Sequence, residues 1–293
     1  MSREKDDPAA LVAVRRAFAK HVMLASRLQD SRLEAALAKT PREAFFAPGP
    51  WPIMYPPQVD RGYIMTPDDD PAYLYQDVLI GMIPEKELNN GCPSFLMRLI
   101  SLGRLREGDH AVHIGAGQGY YTAIIAELVG GSGKVTAIEY EEELAARAAA
   151  NLSPYPHVRV HHGDGSAISL EPADVIYVNA GAVRPASNWL DAMNDGGRLV
   201  LPLTASRTDG DAGPVACGAV FLIERKGDDY LAQLRGNTQI YPCIGLRDAA
   251  SEELLARAFK KGGLEKVTRL YRNQEIEEER CWLKGDGWAL AYR

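Results

Sequence analysis

Apolar residues recur every three or four positions at Leu11, Val14, Phe18, Val22 and Ala25, the spacing of one helix face, so the chain opens on an amphipathic helix. A shorter helix follows over Ser31–Lys39, with Asp30 or Ser31 placed to cap it. From Thr40 the periodicity stops, and a proline-rich segment runs to about Pro71. Segments of that length without structure of their own are lids, binding loops or disordered stretches. Regular spacing returns at Pro93–Leu102, a helix with proline in its first turn. Short apolar runs and helical spacings then alternate: strand 110–114, helix 120–129, strand 135–139, helix 141–151, strand 158–161, strand 174–179, helix 187–193 and strand 198–203. Such alternation predicts a parallel sheet covered on both faces. After Pro214 two strands, Gly218–Arg225 and Tyr230–Leu234, are joined by so short a Gly-Asp link that they must be antiparallel. The tail predicts a helix over Ser251–Lys261, capped by Ser251 and stopped by Gly262. It closes with a hairpin, Arg280–Leu283 and Trp288–Tyr292, turning at Lys284-Gly285-Asp286-Gly287.

One unit of this pattern carries chemistry. The run His110-Ala111-Val112-His113-Ile114 feeds Gly115-Ala116-Gly117-Gln118-Gly119 and the helix from Tyr120, and the next apolar run, Val135-Thr136-Ala137-Ile138, ends in Glu139. A strand, a glycine turn, a helix and an acid ending the next strand are the parts that hold an adenosine. The glycines admit the ligand to the backbone and the carboxylate accepts from both ribose hydroxyls. The glycine spacing is G-x-G-x-G, and Tyr120 stands where the third glycine of a dinucleotide site would fall. That spacing disfavours a nicotinamide dinucleotide, whose pyrophosphate needs close packing on the helix N-terminus. It resembles motif I of Rossmann-like S-adenosylmethionine methyltransferases.

Composition narrows the partners more than the fold. The 293 residues are 46% hydrophobic and 25% charged, as in ordinary globular chains. A net charge of −6 argues against a nucleic-acid or anionic-membrane surface. No apolar run approaches the ~20 residues that span a bilayer, and the charged start Met1–Asp7 lacks the apolar core of a secretion signal. Cys92, Cys217, Cys243 and Cys281 are scattered without a C-x-x-C pair, which suits free thiols in a reducing cytoplasm. No metal site is expected, since the pair His161-His162 has no further ligand cluster beside it.

Several further stretches resemble the protein-L-isoaspartate (D-aspartate) O-methyltransferase family. His162-Gly163-Asp164-Gly165 is similar to its Gly-Asp-Gly loop, Asp174–Ala182 to its fourth strand, and Gly196-Gly197-Arg198-Leu199-Val200-Leu201-Pro202 to its fifth. Ala126-Glu127-Leu128-Val129-Gly130 closes the motif I helix in the family's style, and Asp30–Phe46 resembles its N-terminal helix and Pro-Arg-x-x-Phe turn. The likeness covers about Ala17–Gly245 and leaves the residues from about Arg247 onward unexplained. It implies an α/β, Rossmann-like methyltransferase fold: a mostly parallel twisted sheet with helices on both faces and antiparallel strands at one edge. Residues 1–72 would form N-terminal helices and a proline-rich loop, 73–246 the S-adenosylmethionine-binding domain, and 247–293 a small helix-and-hairpin extension packed on the core.

The resemblance also implies roles. Gly115, Ala116, Gly117 and Gly119 would carry the methionine end of S-adenosylmethionine. Glu139 would take the ribose hydroxyls, Tyr140 would cover the adenine, and Asp164 with Gly165 would meet the adenine amino group. The reaction would be methyl transfer to a carboxylate of a protein, peptide or small molecule, with isoaspartyl residues of damaged proteins as the repair substrate. There the methyl ester collapses to a succinimide.

Three departures reshape that expectation. His113 stands where the family has an acid near the cofactor's amino group; it is either a neutral acceptor or a packed strand-end histidine. The family's Thr-Ile-Ser-x-Pro acceptor loop, anchored on Pro93, reads Asn89-Asn90-Gly91-Cys92-Pro93, so Gly91 replaces the serine that contacts the substrate carboxylate. The amides of Asn89 or Asn90, or the Ser94 hydroxyl, are left as donors, unless Asn-Asn-Gly is a plain turn. Cys92 has no His/Asp partner in sequence and is not expected to be a nucleophile. The tail, with Trp282 and Trp288, is open to three roles: covering a sheet edge, forming a homodimer contact, or walling the acceptor pocket. Together Gly91 and His113 also leave room for a module that binds the cofactor without catalysis.

Overall fold

The computed structural model describes residues 8–56, 62–86, 88–206 and 216–292. The charged start 1–7, residues 57–61 of the proline-rich segment and the side chain of Cys217 lie outside the described residues. The chain forms two compact units: Met1–Gly108, Ala116–Val135 and Glu141–Val160 make one, and Asp109–Gly115, Thr136–Tyr140 and His161–Arg293 the other.

The first unit holds helices α1 (Pro8–Ser26), α2 (Ser31–Lys39), α3 (Pro93–Leu102), α4 (Tyr120–Val129) and α5 (Glu142–Asn151). Of the α1 stripe read from the sequence, Phe18 and Val22 are buried and Ala25 is exposed; Ala19 and Met23 complete the buried face. Asp30, not Ser31, caps α2: its carboxylate accepts from the N–H groups of Arg32 and Leu33. Helix α4 is apolar on nearly every side and buried on nearly every side, the mark of an interior helix.

The proline-rich segment is not structureless. It contributes β1 (Pro52–Met54) and β2 (Ile64–Met65) to a four-stranded sheet completed by β3 (Leu79–Ile83) and β4 (Leu88–Asn89), in the order β2-β1-β3-β4. Every pairing is antiparallel, with Ile53 opposite both Ile64 and Ile80. Trp51, Ile53, Leu74, Val78 and Ile80 form its core. These strands are too short to show alternation, so local spacing gives no sign of them.

Arg42 ties this segment down. It is fully buried, donates to the carbonyls of Leu74 (2.5 Å) and Gln76 (3.0 Å), and lies between the rings of Phe18 and Tyr120 at 5.2 and 5.3 Å. Its neighbour Glu43 accepts from Arg15 at 2.7 Å and from the Tyr75 hydroxyl, and burial pushes that phenol's pKa up.

A ten-stranded sheet runs in the order β7-β6-β5-β8-β9-β10-β11-β12-β14-β13. Its strands are β5 (His110–Ile114), β6 (Lys134–Glu139), β7 (Val158–His162), β8 (Ala173–Val178), β9 (Met193–Ala205), β10 (Ala216–Lys226), β11 (Asp229–Ile240), β12 (Arg269–Arg272), β13 (Cys281–Gly285) and β14 (Trp288–Ala291). β5 pairs parallel with β8, and β8 with β9; from β9 to β13 every pairing is antiparallel. The architecture is the expected Rossmann-like α/β fold.

Its antiparallel part is larger than the sequence predicts. β9, β10 and β11 outrun their apolar cores, and β12 had no periodic signal, since only Leu270 of its four residues is buried. Helix α6 (Ser187–Ala192) and helix α7 (Ala249–Lys261) belong to the second unit. The α7 cap is Asp248, which accepts from the Ser251 N–H at 2.8 Å; Ser251 lies inside the first turn. The tail hairpin joins the sheet through β12, and Trp282 is buried with its ring 5.5 Å from those of Phe221 and Phe259. The hairpin thus extends the edge of the sheet beyond β12.

Candidate active site

In the second unit, four strands finish in one row. The Gly115 N–H donates to Ile138 O at 2.9 Å, Gly163 N–H to Glu139 O at 2.9 Å, and Asn179 N–H to Ile114 O at 2.8 Å. Gly115, Glu139, Gly163 and Asn179 therefore stand side by side at the carboxyl ends of β5, β6, β7 and β8, where open α/β sheets bind ligands. Six of the predicted residues fall on this row or beside it: His113, Gly115, Glu139, Tyr140, Asp164 and Gly165. Gly115 has φ +79°, and a Cβ there would come within 3.0 Å of the Asn179 carbonyl oxygen, so only glycine serves. Glu139 is buried at the strand end, whereas Tyr140 beside it is 47% exposed and offers a ring face.

Asp164 is held on two sides. Its Oδ1 accepts from the N–H and the hydroxyl of Ser166, both at 2.8 Å. The backbone of Gly245 presses on the carboxylate so closely that a Cβ would lie 2.0–2.2 Å from its atoms. The same segment is stitched to the loop after β8 and to β9: Cys243 N–H donates to Gly181 O at 2.9 Å, and Arg247 donates to Thr204 O at 2.8 Å. Burial, then the charge of Asp164, pushes the Cys243 thiol up to about 12. Gly165 sits against Ile114, and its carbonyl accepts from Trp189 Nε1 at 2.8 Å and Asn188 Nδ2 at 3.0 Å.

His113 is fully buried and stacked on Tyr177, its partner on β8, with centroids 5.1 Å apart. Burial pushes its pKa down to about 3, so the ring is neutral at physiological pH. A neutral ring carries none of the charge that would repel an ammonium group.

In the first unit, Ala116, Gly117 and Gly119 lead into α4, with the Gly119 N–H donating to Ala116 O at 3.0 Å. The bare side of Gly117 faces the Met82 thioether, 3.3 Å from where a Cβ would stand. The hairpin that carries Met82 is tied to Glu141 by Lys86.

The loop Asn89–Ser94 enters α3. Gly91 has φ +77°, and a Cβ there would lie 2.6 Å from Leu96 Cδ1, so the glycine is demanded by the backbone. Asn89 uses both ends of its amide: Oδ1 accepts the Gly91 N–H at 2.9 Å and Nδ2 donates to the Tyr63 hydroxyl at 3.0 Å. Asn90 is buried and turned to β3, with Oδ1 accepting the Ile80 N–H at 3.1 Å. The Ser94 hydroxyl lies 3.6 Å from the Cys92 sulfur. Asp77 fastens the helix start by accepting the Ser94 N–H at 2.7 Å and the Cys92 thiol at 3.2 Å. Burial, then the Asp77 charge, pushes the thiol's pKa up, which suits a fastening and not a nucleophile.

Sequence reading missed Tyr63, Asp77, Met82, Asn179 and Gly245. Asn179 carried a signal, since it follows the β8 run directly; the other four have none nearby.

Comparison with known proteins points to one family. The family model described as protein-L-isoaspartate (D-aspartate) O-methyltransferase matches residues 58–212. A protein-L-isoaspartate O-methyltransferase from Pyrobaculum islandicum is 31% identical over 182 residues, covering 60% of this chain and 77% of the relative. Protein-L-isoaspartate O-methyltransferase 2 from Archaeoglobus fulgidus is 42% identical over 115 residues, 38% of this chain; the match spans about half (52%) of that relative. A solved protein-L-isoaspartate O-methyltransferase shares the fold over 89% of this chain and 73% of its own, with a TM-score of 0.62 and 21% identity.

Proposed function

Since the chain belongs to the protein-L-isoaspartate (D-aspartate) O-methyltransferase family, we propose that it transfers a methyl group from S-adenosylmethionine to a carboxylate oxygen, with isoaspartyl residues of damaged proteins or peptides as the acceptor. The observation that carries this reading is the row of strand ends, where a glycine too close to its neighbour for a side chain, a buried carboxylate and an exposed tyrosine stand together. That donor set fits an adenosine carrying an amino-acid tail.

When bound, S-adenosylmethionine supplies a methyl group on sulfonium, already an activated leaving group. An ordinary carboxylate has a pKa near 4 and is ionised at neutral pH, so no side chain has to remove a proton. The work of the protein is alignment, which supplies roughly 7–11 kcal/mol in favourable cases. The turn Gly115–Gly119 takes the methionine end and Glu139 the ribose hydroxyls. Tyr140 covers the adenine, while Asp164, held by Ser166 and Gly245, accepts from its amino group. His113 stays neutral beside them. Asn89, Asn90 and Ser94 line or support the acceptor loop.

The acceptor is a protein or peptide, and neither nucleic acid nor membrane is a partner. The net charge of −6 supports this. Among the described residues no helix is long and apolar enough to cross a membrane. Free thiols at Cys92, Cys243 and Cys281 suit a cytoplasmic location. The test is label transfer from methyl-labelled S-adenosylmethionine to an isoaspartyl peptide, with the matching aspartyl peptide as control. Base-labile label on the isoaspartyl peptide is the expected result; none on either peptide, with cofactor binding intact, overturns the acceptor.

A further inference from the structure

S-adenosylmethionine carries an ammonium group at its methionine end, and a cation leaving water needs acceptors to replace it. The two carboxylates on the row of strand ends, Glu139 and Asp164, are placed at the ribose and the adenine. Near the end of β5 stands His113, buried, neutral and stacked on Tyr177, so that position supplies no negative charge. The stack leads instead to an amide. The Tyr177 hydroxyl donates to Asn179 Oδ1 at 3.2 Å, and Asn179 Nδ2 donates to Gly115 O at 3.3 Å. His113, Tyr177, Asn179 and Gly115 thus form one chain of contacts across the paired ends of β5 and β8.

That chain fixes which way the amide faces. A backbone carbonyl only accepts, so the end of the amide at Gly115 is Nδ2 and the end at Tyr177 is Oδ1. Burial pushes the Tyr177 phenol's pKa up, so its hydroxyl stays protonated and donates. The Asn179 backbone is fixed as well: its N–H donates to Ile114 O at 2.8 Å, and its carbonyl oxygen would lie 3.0 Å from a Cβ on Gly115. An amide oxygen has two lone pairs, and Tyr177 takes one. Asn179 is half-buried, beside the glycine turn that takes the methionine end. A carbonyl held in this way orients a cation through a charge-assisted hydrogen bond. We propose that the Asn179 side-chain carbonyl accepts from the ammonium group of the cofactor, the part a carboxylate at position 113 would otherwise play, with Tyr177 as its positioning residue. The inference rests on the S-adenosylmethionine reading above.

The experiment titrates wild type, Asn179→Ala, Tyr177→Phe and the double variant calorimetrically with S-adenosylhomocysteine and with its analogue lacking the amino group. Loss of an acceptor to a charged group predicts that Asn179→Ala weakens S-adenosylhomocysteine at least about tenfold. Affinity for the deaminated analogue stays within about twofold of wild type, since that ligand has no ammonium to lose. Tyr177→Phe keeps the ring stack but lets the amide turn, and weakens S-adenosylhomocysteine about threefold with the analogue again unchanged. The double variant falls no more than about twofold below Asn179→Ala, because the hydroxyl acts through the amide. Asn179→Ala within about twofold of wild type for S-adenosylhomocysteine overturns the inference. A loss of equal size for both ligands assigns Asn179 to the fold of the turn and also overturns it. Where Asn179→Ala does not fold, Tyr177→Phe decides: an unchanged ratio of the two affinities overturns the inference. No binding of either ligand by the wild type overturns the S-adenosylmethionine reading itself and takes this inference with it.

Discussion

At the ends of β5, β6, β7 and β8, each functional residue lies within a few positions of the strand that aims it; in the loop Asn89–Ser94, Asn89 and Ser94 also reach residues far away in sequence. Gly115 directly follows Ile114, Glu139 ends its own strand, and Asp164 is capped by Ser166 two residues on. By contrast Ser94 is fastened by Asp77, 17 residues away, and by Ser26, 68 residues away, while Asn89 reaches Tyr63 across 26. A strand-end site is a local device, and its parts recur with the strand, turn and helix that make it. A loop site assembled from distant segments can change its chemistry while the strand ends stay as they are.

The largest effect is expected where distant contacts converge. Arg42→Ala removes a fully buried guanidinium and strands the carbonyls of Leu74 and Gln76, which should cost about 3–5 kcal/mol of stability. Urea unfolding measures it, and a loss below about 1 kcal/mol would show the segment Leu74–Asp77 is held by something else. Gly91→Ser comes next. Restoring the family's serine should cost about 2 kcal/mol through the left-handed backbone and the overlap with Leu96, and should raise methyl transfer not at all. A stable, more active Gly91→Ser variant would break the contrast between a fixed strand-end site and a rebuilt loop.

Two smaller effects probe the strand ends. Gly245→Ala forces the Asp164 carboxylate to move and should weaken S-adenosylhomocysteine binding about tenfold by calorimetry. Unchanged affinity would remove Asp164 from the adenine. The last concerns His113, whose folded pKa of about 3 lies below the ordinary 6.5. Between those values the unfolded chain takes up a proton that the folded chain refuses. Stability is thus whole above about pH 6.5 and falls as pH drops, with a slope of up to about 1.4 kcal/mol per pH unit from this group. His113→Leu should flatten the acid limb of stability against pH by up to that slope; an unchanged limb would show the ring is not protonated on unfolding.

The same contrast explains what could be read in advance. The row from His113 to Gly165 was legible because strand, glycine turn and terminal acid are consecutive in the chain. So was the helix framework, with Asp30 among its caps; the α7 cap was not, since Asp248 does the work and Ser251 is a first-turn residue. β1 to β4 were not legible, since strands of two to five residues show too little alternation to mark them. Gly91 was seen as a lost serine, but not as a glycine required by Leu96. Tyr63 and Asp77 left no trace near the loop they serve. The tail hairpin was visible, yet its place depended on β12, whose single buried residue gives no pattern.

The most direct test of the account is a calorimetric titration of S-adenosylhomocysteine into wild type and Glu139→Ala. The predicted result is binding in the micromolar range by the wild type, weakened at least about a hundredfold in the variant through loss of two hydrogen bonds to a carboxylate. Equal affinity in both proteins, or no heat from the wild type, would contradict it.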